Sequence, residues 1–144
     1  MMPKERMGWR EWVALPDLGI SEVKAKVDTG ARSSALHAFD IRPFLANGTQ
    51  KVRFKVHPFQ RNEIDTVETE AEVFDRREVR NSGGKAELRY AILTSIELAG
   101  QRWSIELTLT NRDVMGFRML LGRQAVRGRF FVDPGKSYLL SVDR

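Results

Sequence analysis

The sequence lacks cysteine altogether, and its 144 residues include only two histidines. Without cysteine the chain has no disulfide, no thiol nucleophile and no cysteine-ligated zinc site. No apolar run approaches the ~20 residues of a transmembrane helix, and no basic segment followed by an apolar stretch stands at the start. We therefore expect a cytoplasmic protein without a membrane partner.

The excess of positive charge is small. The chain has 24 Lys and Arg residues against 19 Asp and Glu residues, which gives a formal net charge of +5. The densest basic stretch runs from Arg118 to Arg129 and would suit a nucleic acid or an acidic peptide. It lacks the exposed aromatic residues that single-strand binders place between basic ones, because Phe130 and Phe131 fit the core of a strand. Nucleic acid is therefore the least favoured partner.

Composition and patterning predict an all-β protein. Apolar residues make up 42% of the chain and charged residues 30%, which is typical of a globular domain. Alternation of apolar and polar residues predicts about six to eight strands, the clearest from Leu88 to Leu98 and from Trp103 to Leu109. One short helix is expected over residues 124–127. We predict one barrel-like domain over residues 9–144, preceded by a frayed end over residues 1–8.

Glycine and proline predict the main turns. The segment from Asn81 to Lys85 separates two strand-like runs, which predicts a long hairpin with Gly83 and Gly84 at its tip. The charged segment from Asp75 to Arg80 is interpreted as an exposed turn or edge. Pro134-Gly135 predicts a turn in a final hairpin that pairs residues 130–132 with residues 138–140.

One stretch combines a strand with a reactive side chain. Val23, Ala25 and Val27 alternate with lysines, which predicts a half-buried strand that ends at Asp28-Thr29-Gly30. A carboxylate at the end of a rigid strand is well placed for catalysis. The alternative is an ordinary turn, because Asp and Thr hydrogen-bond to nearby backbone and Gly adopts turn conformations readily.

The wider pattern resembles that of a known enzyme class. Asp28-Thr29-Gly30-Ala31 behind an apolar strand resembles the active-site motif of retropepsin-type aspartic peptidases. These enzymes next carry a glycine-rich flap hairpin, then two apolar residues with glycine, a short helix and a final strand. Gly83-Gly84, Leu120-Leu121-Gly122 and the expected helix stand here in that order. The resemblance implies a retropepsin-like closed barrel.

Three further stretches resemble a narrower bacterial and archaeal family. They are Gly8-Trp9-Arg10-Glu11-Trp12, the run from Lys24 to Arg32, and Ser34-Ala35-Leu36-His37-Ala38. That family is catalogued as ATP-dependent zinc proteases and is grouped with retropepsin-like aspartic endopeptidases. Its members are often associated with ATP-grasp ligases that add glutamates to ribosomal protein tails, so the resemblance implies such a ligase as a partner.

The family name raises two cofactors that the residues do not favour. A zinc peptidase needs a ligand set such as His-Glu-X-X-His with a third ligand, whereas His37 and His57 stand far apart in the sequence. A phosphate-binding loop needs Gly-X-X-X-X-Gly-Lys followed by Ser or Thr, and Gly83-Gly84-Lys85-Ala86 does not fit. We predict no metal and no cofactor, with any ATP dependence residing in a partner.

The resemblance implies a site built from two chains. Aspartic peptidases use two carboxylates that share one proton around a water molecule. The sequence has one Asp-Thr-Gly motif, so the second carboxylate is Asp28 of an identical chain. Catalytic roles fall on Asp28, with Thr29 bracing the two turns and Gly30 admitting substrate backbone. The substrate-binding positions implied are Ala31, Arg32, Gly83, Gly84 and Arg123. Leu120, Leu121 and Gly122 are expected to pack beneath the catalytic turn.

Arg32 departs from the retroviral pattern, in which an acidic residue follows Asp-Thr-Gly-Ala and pairs with the later arginine, here Arg123. Two arginines at these positions cannot form that pair. If they lie close together, they would suit a carboxylate, so we predict an acidic peptide substrate. The alternative function is a non-catalytic module of the same fold that binds acidic peptides, with Asp28 serving only as a turn residue.

Overall fold

The computed structural model describes residues 4–58, 65–80, 83–111 and 116–142. These residues form twelve strands, a 3-10 turn at Pro16–Leu18 and one short helix. The strands are β1 (Glu5–Gly8), β2 (Arg10–Leu15), β3 (Ile20–Asp28), β4 (Ser34–His37), β5 (Phe39–Ala46), β6 (Thr49–Val56), β7 (Val67–Glu72), β8 (Asp75–Arg80), β9 (Ala86–Leu98), β10 (Gln101–Thr110), β11 (Met119–Gly122) and β12 (Phe130–Asp133). The helix, α1, is Arg123–Val126. The all-β class and the short helix are confirmed.

Six strands close into a ring. The main sheet has the order β10-β4-β11-β3-β2-β9-β8, and β9 also pairs with β10, which joins the two sides of the sheet. Strand β9 changes partner along its length: residues 91–98 pair with β10, and residues 86–91 pair with β8. The hairpin of β8 and β9 therefore extends away from the closed part of the sheet.

The buried residues follow the alternation of the sequence. Val23, Ala25 and Val27 of β3 are at most 7% exposed, and the expected inward positions of β6 and β10 are also buried. Those positions are Val52, Phe54, Val56, Trp103, Ile105, Leu107 and Leu109. At 25 cal/mol per Å² of apolar surface, each large side chain of this core stabilises the fold by about 1.5–3 kcal/mol.

The candidate site lies at the ends of neighbouring strands of the main sheet. Strand β11 pairs in parallel with β3 and in antiparallel with β4, so it lies between them. Gly122, the last residue of β11, is the register partner of Asp28, the last residue of β3. Asp28 thus ends an inner strand of the ring, with β2 on one side and β11 on the other.

The expected frayed end over residues 1–8 is wrong for residues 5–8. Glu5–Gly8 forms β1, which pairs in parallel with β12 in a separate two-stranded sheet. The prediction failed because the partner strand lies at the other end of the chain, where local sequence patterns give no sign of it. The charged segment 75–80 was interpreted as an exposed turn or edge; it is strand β8 at the edge of the main sheet, so the edge alternative is confirmed.

The expected final hairpin is also wrong. Strand β12 pairs with β1, and residues 138–140 form no strand. The backbone N–H groups of Leu139 and Leu140 instead donate to the carboxylate of Glu11, at 2.9 and 3.2 Å. Glu11 is fully buried and also accepts the hydroxyl of Ser141 at 2.6 Å. A buried carboxylate requires such donors, and this one holds the last described segment against β2.

Candidate active site

Asp28 sits on a tight turn at the end of β3. Its Oδ1 atom accepts the backbone N–H of Gly30 at 2.9 Å, and its carbonyl accepts the N–H of Ala31 at 3.1 Å. The carboxylate is half-buried, while Thr29 and Gly30 are exposed. The sequence prediction of a strand that delivers an aspartate into a sharp turn is confirmed, and the carboxylate is accessible to solvent.

Gly122 packs directly against the backbone that follows this turn. Its N–H donates to the hydroxyl of Ser34 at 3.0 Å. A Cβ atom at this position would lie 2.6 Å from the carbonyl carbon of Ser33 and 3.0 Å from the carbonyl oxygen of Ala31. Two backbone segments are therefore in direct contact, which only glycine permits.

The start of α1 holds the residues that follow Asp28. The backbone N–H groups of Arg123 and Gln124 donate to the carbonyls of Ala31 and Arg32, at 2.8 and 3.2 Å. The guanidinium of Arg123 donates to the carbonyl of Gly30 at 3.3 Å. Three consecutive carbonyls of the turn therefore accept hydrogen bonds from the first two residues of the helix, which fixes the path of the turn.

Ser34 links the turn to the opposite side of the ring. It is 2% exposed, its hydroxyl accepts from Gly122, and its carbonyl accepts the hydroxyl of Thr108 at 3.1 Å. Sequence reasoning missed Ser34 and Thr108, because a serine and a threonine inside strands give no local sign of which segments they join.

Arg32 and Arg123 line different cavities. Arg32 borders a cavity of about 560 Å³ together with Arg77 and Arg80 of β8. Arg123 borders one of about 380 Å³ together with Thr29 and Phe131. The two arginines were expected to form one basic surface if they lay close together. The structure instead gives Arg32 the arginines of β8 as its cationic neighbours.

The β8–β9 hairpin stands where a flap was expected. Gly83 and Gly84 lie at its exposed end, and Arg80 donates to the carbonyl of Gly84 at 3.0 Å. The other residues of the tip, 81 and 82, lie outside the described residues. The hairpin with glycines at its end is confirmed, and its role as a flap stays a prediction.

Charged contacts fix the base of this hairpin. The guanidinium of Arg77 donates to both carboxylate oxygens of Glu106 on β10, at 3.1 and 3.3 Å, and to Asp75 at 2.8 Å. Hydrogen bonds that Arg77 donates to Glu106 and Asp75 raise the pKa of its guanidinium. The hydrogen bond from Arg77 lowers the pKa of Asp75. Sequence reasoning missed Arg77 and Glu106, whose charges are unremarkable in the sequence.

The two histidines have ordinary surroundings. Nδ1 of His37 accepts from the guanidinium of Arg118 at 3.4 Å. His57 lies against the ring of Phe39 and the hydroxyl of Thr66. In the part of the chain that the structure describes, no group of three or more His, Asp or Glu residues is arranged to hold a metal ion.

The basic stretch 118–129 is not one continuous surface. Arg118 is only 7% exposed, and the guanidinium of Arg129 lies over the ring of Trp103 at 4.9 Å.

Within the described residues, no helix is long and apolar enough to cross a membrane.

Comparison with known proteins now decides the family. The model of the family described as retropepsin-like aspartic endopeptidase RimB matches residues 6–142. The chain belongs to the RimB-like family. The resemblance drawn from Asp28-Thr29-Gly30-Ala31 and its neighbouring stretches is therefore confirmed.

Curated relatives of this RimB-like chain carry a different name. A protein from Shewanella pealeana named "Probable alpha-L-glutamate ligase" is 48% identical over 134 residues, which cover 93% of this chain and 29% of the relative. A protein of the same name from Parasynechococcus marenigrum is 47% identical over 140 residues, covering 97% and 30%. The chain thus spans about three tenths of the length of these relatives.

A solved structure matches almost the whole RimB-like chain. A Legionella pneumophila protein of unknown function superposes with a TM-score of 0.79 and 28% sequence identity, covering 95% of this chain and 98% of the other. The overall fold is therefore shared with that crystal structure.

Proposed function

We propose that this protein is an aspartic endopeptidase that works as a symmetric homodimer, with Asp28 of each chain activating one water molecule. The observation that carries the proposal is the placement of Asp28. It ends an inner strand, is half-buried but open to solvent, and is supported by the backbone of Gly122 and α1. Membership of a family of aspartic endopeptidases supports the same chemistry.

The chemistry needs two carboxylates with different protonation. Two carboxylates about 3 Å apart share one proton, because both cannot ionise at that distance. The ionised Asp28 takes a proton from water as the water oxygen attacks the peptide carbonyl carbon. The protonated Asp28 of the second chain donates its proton to the carbonyl oxygen. The tetrahedral intermediate then breaks its C–N bond. The leaving nitrogen takes up the proton that the first Asp28 took from water, and one hydroxyl of the intermediate returns a proton to the second Asp28 as the carboxyl group forms.

The surface beside Asp28 suits a second copy of the chain. Thr29 borders the 380 Å³ cavity, whose other walls include Val126, Phe131 and Pro134. Phe131 is 57% exposed, although its neighbour Phe130 is 5% exposed. An exposed aromatic ring next to an incomplete site is typical of an interface. A second chain on this surface would bring its own Asp28 and Thr29 to the first.

The other predicted residues take roles around the dyad. Thr29 braces the two turns across the dimer axis, and Gly30 and Ala31 leave room for the substrate backbone. Gly83 and Gly84 belong to the flap that closes over an extended peptide, with which flap backbone pairs by hydrogen bonds.

The substrate we propose is an acidic or glutamate-modified peptide. Relatives named as probable alpha-L-glutamate ligases contain a region similar to this chain within a longer protein. This arrangement supports a functional association of the chain with a ligase that adds glutamate. A peptidase in such an association would act on glutamate-rich products.

The chain offers a matched control for the catalytic test. Asp133 also ends a strand, and its Oδ1 accepts the N–H of Gly135 at 3.0 Å, much like Asp28 with Gly30. We expect Asp28→Asn to reduce cleavage of a glutamate-rich peptide by at least about 10²-fold, because it removes the general acid-base group. Asp133→Asn should leave cleavage almost unchanged. Equal activity of both variants would contradict the proposal.

The similarity between the turns at Asp28 and Asp133 favours a second candidate function. Because the hydrogen bond of Asp28 matches that of an ordinary turn aspartate, Asp28 could serve as a turn residue in a module that binds acidic peptides without cleaving them. Under this alternative, wild type and Asp28→Asn bind the peptide equally and neither cleaves it.

A further inference from the structure

The cavity beside Arg32 has walls from four parts of the chain. Its volume is about 560 Å³, and it lies between the segment after the catalytic turn and the edge strand of the flap hairpin. The residues that matter for its chemistry are Arg32, Arg77, Glu78, Arg80, Glu106 and Gln124. Because Arg32 follows the Asp28 turn directly, one wall of this cavity adjoins that turn.

The charges of this cavity are unequally neutralised. Arg77 is held by both oxygens of Glu106 and by Asp75. Glu78 and Arg80 alternate with Arg77 along β8, so their side chains lie on the opposite face of the strand from Arg77, and the guanidinium of Arg80 donates to the carbonyl of Gly84 at 3.0 Å. Arg32 is exposed and forms no ion pair with any residue in the described parts of the chain. Among the described residues, Arg32 is therefore a cation of this cavity without a counter-charge.

An incoming carboxylate could bind Arg32 and Arg77, and Glu106 already binds Arg77. The Arg77–Glu106 contact is bidentate, which is the geometry in which arginine binds carboxylates most strongly. The pair is accessible, since the side chains are 29% and 34% exposed. A carboxylate in the cavity would meet Arg32 directly and would compete with Glu106 for Arg77.

We propose that this cavity is a subsite for a glutamate or aspartate side chain of the peptide. Arg32 is its principal binding group, Arg77 is the second, and Glu106 is an internal carboxylate that weakens binding by competing for Arg77. The inference rests on the proposed function in taking the ligand to be a peptide. It goes further by assigning Arg77 and Glu106 as specificity-determining residues.

Binding can be measured apart from turnover. The Asp28→Asn variant is titrated with fluorescent peptides that are identical except for one Glu or Gln at a scanned position, each with a free or an amidated C-terminus. At the subsite position the Glu peptide should bind about tenfold more tightly than the Gln peptide, whatever the C-terminus, as a charge-assisted hydrogen bond implies. Equal binding of both peptides, or dependence on the free C-terminus alone, would overturn the proposal.

Substitutions of the cavity should act in opposite directions. Arg32→Gln should remove the Glu preference, because the unneutralised cation is lost. Glu106→Gln should tighten binding of the Glu peptide about threefold, because Arg77 then keeps only Asp75 as a carboxylate partner; a merely structural role for Glu106 predicts no gain. Glu97→Gln is the matched control, since Glu97 also pairs with an arginine, Arg102, at 3.3 Å but outside this cavity. No change with either cavity variant would overturn the inference.

Failure of the inference and failure of the proposed function give different results. If wild type cleaves Glu and Gln peptides equally well, the subsite is refuted and the peptidase stands. If no peptide is cleaved but the Glu preference and its dependence on Arg32 persist, the peptidase is refuted and the subsite stands.

Discussion

Two Asp-X-Gly turns of this molecule have nearly the same side-chain hydrogen bond but lie in different surroundings in the fold. Oδ1 of Asp28 accepts the N–H of Gly30 at 2.9 Å, and Oδ1 of Asp133 accepts the N–H of Gly135 at 3.0 Å. Asp28, however, ends an inner strand of the closed ring, whereas Asp133 ends β12 in a sheet of two strands. The side-chain hydrogen bond alone therefore does not distinguish a candidate catalytic aspartate from a turn aspartate.

The backbone around each turn makes the difference. After Asp28, the carbonyls of three consecutive residues accept hydrogen bonds from Arg123 and Gln124. After Asp133, its own carbonyl accepts the N–H of Lys136 at 3.3 Å. A catalytic group must be held to within a fraction of an ångström, and that precision comes from the surrounding structure.

The largest effect on stability and activity should come from Gly122→Ala, because Gly122 packs against the backbone that follows Asp28. The added Cβ would meet backbone atoms of Ser33, which cannot move aside as a flexible side chain could. We expect the free energy of unfolding to fall by about 3 kcal/mol or more, as in overpacked cores, and peptide cleavage to be lost. Chemical denaturation and a cleavage assay measure the two effects.

Gly135→Ala is the matched control at the second turn. A Cβ at Gly135 would lie 3.5 Å from Oδ1 of Asp133, an ordinary contact. Its effect on unfolding should stay within about 0.5 kcal/mol. Equal stability of the two alanine variants would contradict a difference in backbone packing between the two turns.

A smaller effect is expected from Ser34→Ala. This change leaves the buried N–H of Gly122 without its acceptor, which should cost about 1–3 kcal/mol of unfolding free energy. Ser137→Ala, beside the second turn, removes a part-buried contact with Nε of Arg10 and should cost less, about 0.5–1 kcal/mol. The reverse order in denaturation experiments would contradict the comparison.

The sequence predicted the first turn well because its determinants are local. The alternation of Val23, Ala25 and Val27 indicated the strand, and Asp28-Thr29-Gly30 indicated the turn. The apolar run ending at Gly122 and the helix after it were also predicted in their correct order. The resemblance to a family added the expectation that these segments meet, and the register of Gly122 with Asp28 bears this out.

Long-range pairing was the part that the sequence could not predict. Strand β1 finds its partner β12 more than a hundred residues away, and Glu11 binds the backbone of residues near the C-terminus. Arg32 and Arg123 were expected to form one basic site only if they lie close together, and in the structure they line different cavities. Local patterns indicate strands, but three-dimensional packing decides their neighbours.

The most direct test of the two-chain site uses a mixed dimer. Wild-type and Asp28→Asn chains with different affinity tags are co-expressed, and the mixed dimer is purified through both tags. Its cleavage of a glutamate-rich peptide is then compared with that of the wild-type dimer. If each dimer has one site that needs both Asp28 residues, the mixed dimer should be inactive. A mixed dimer with half the wild-type activity, or an active monomer, would contradict the account.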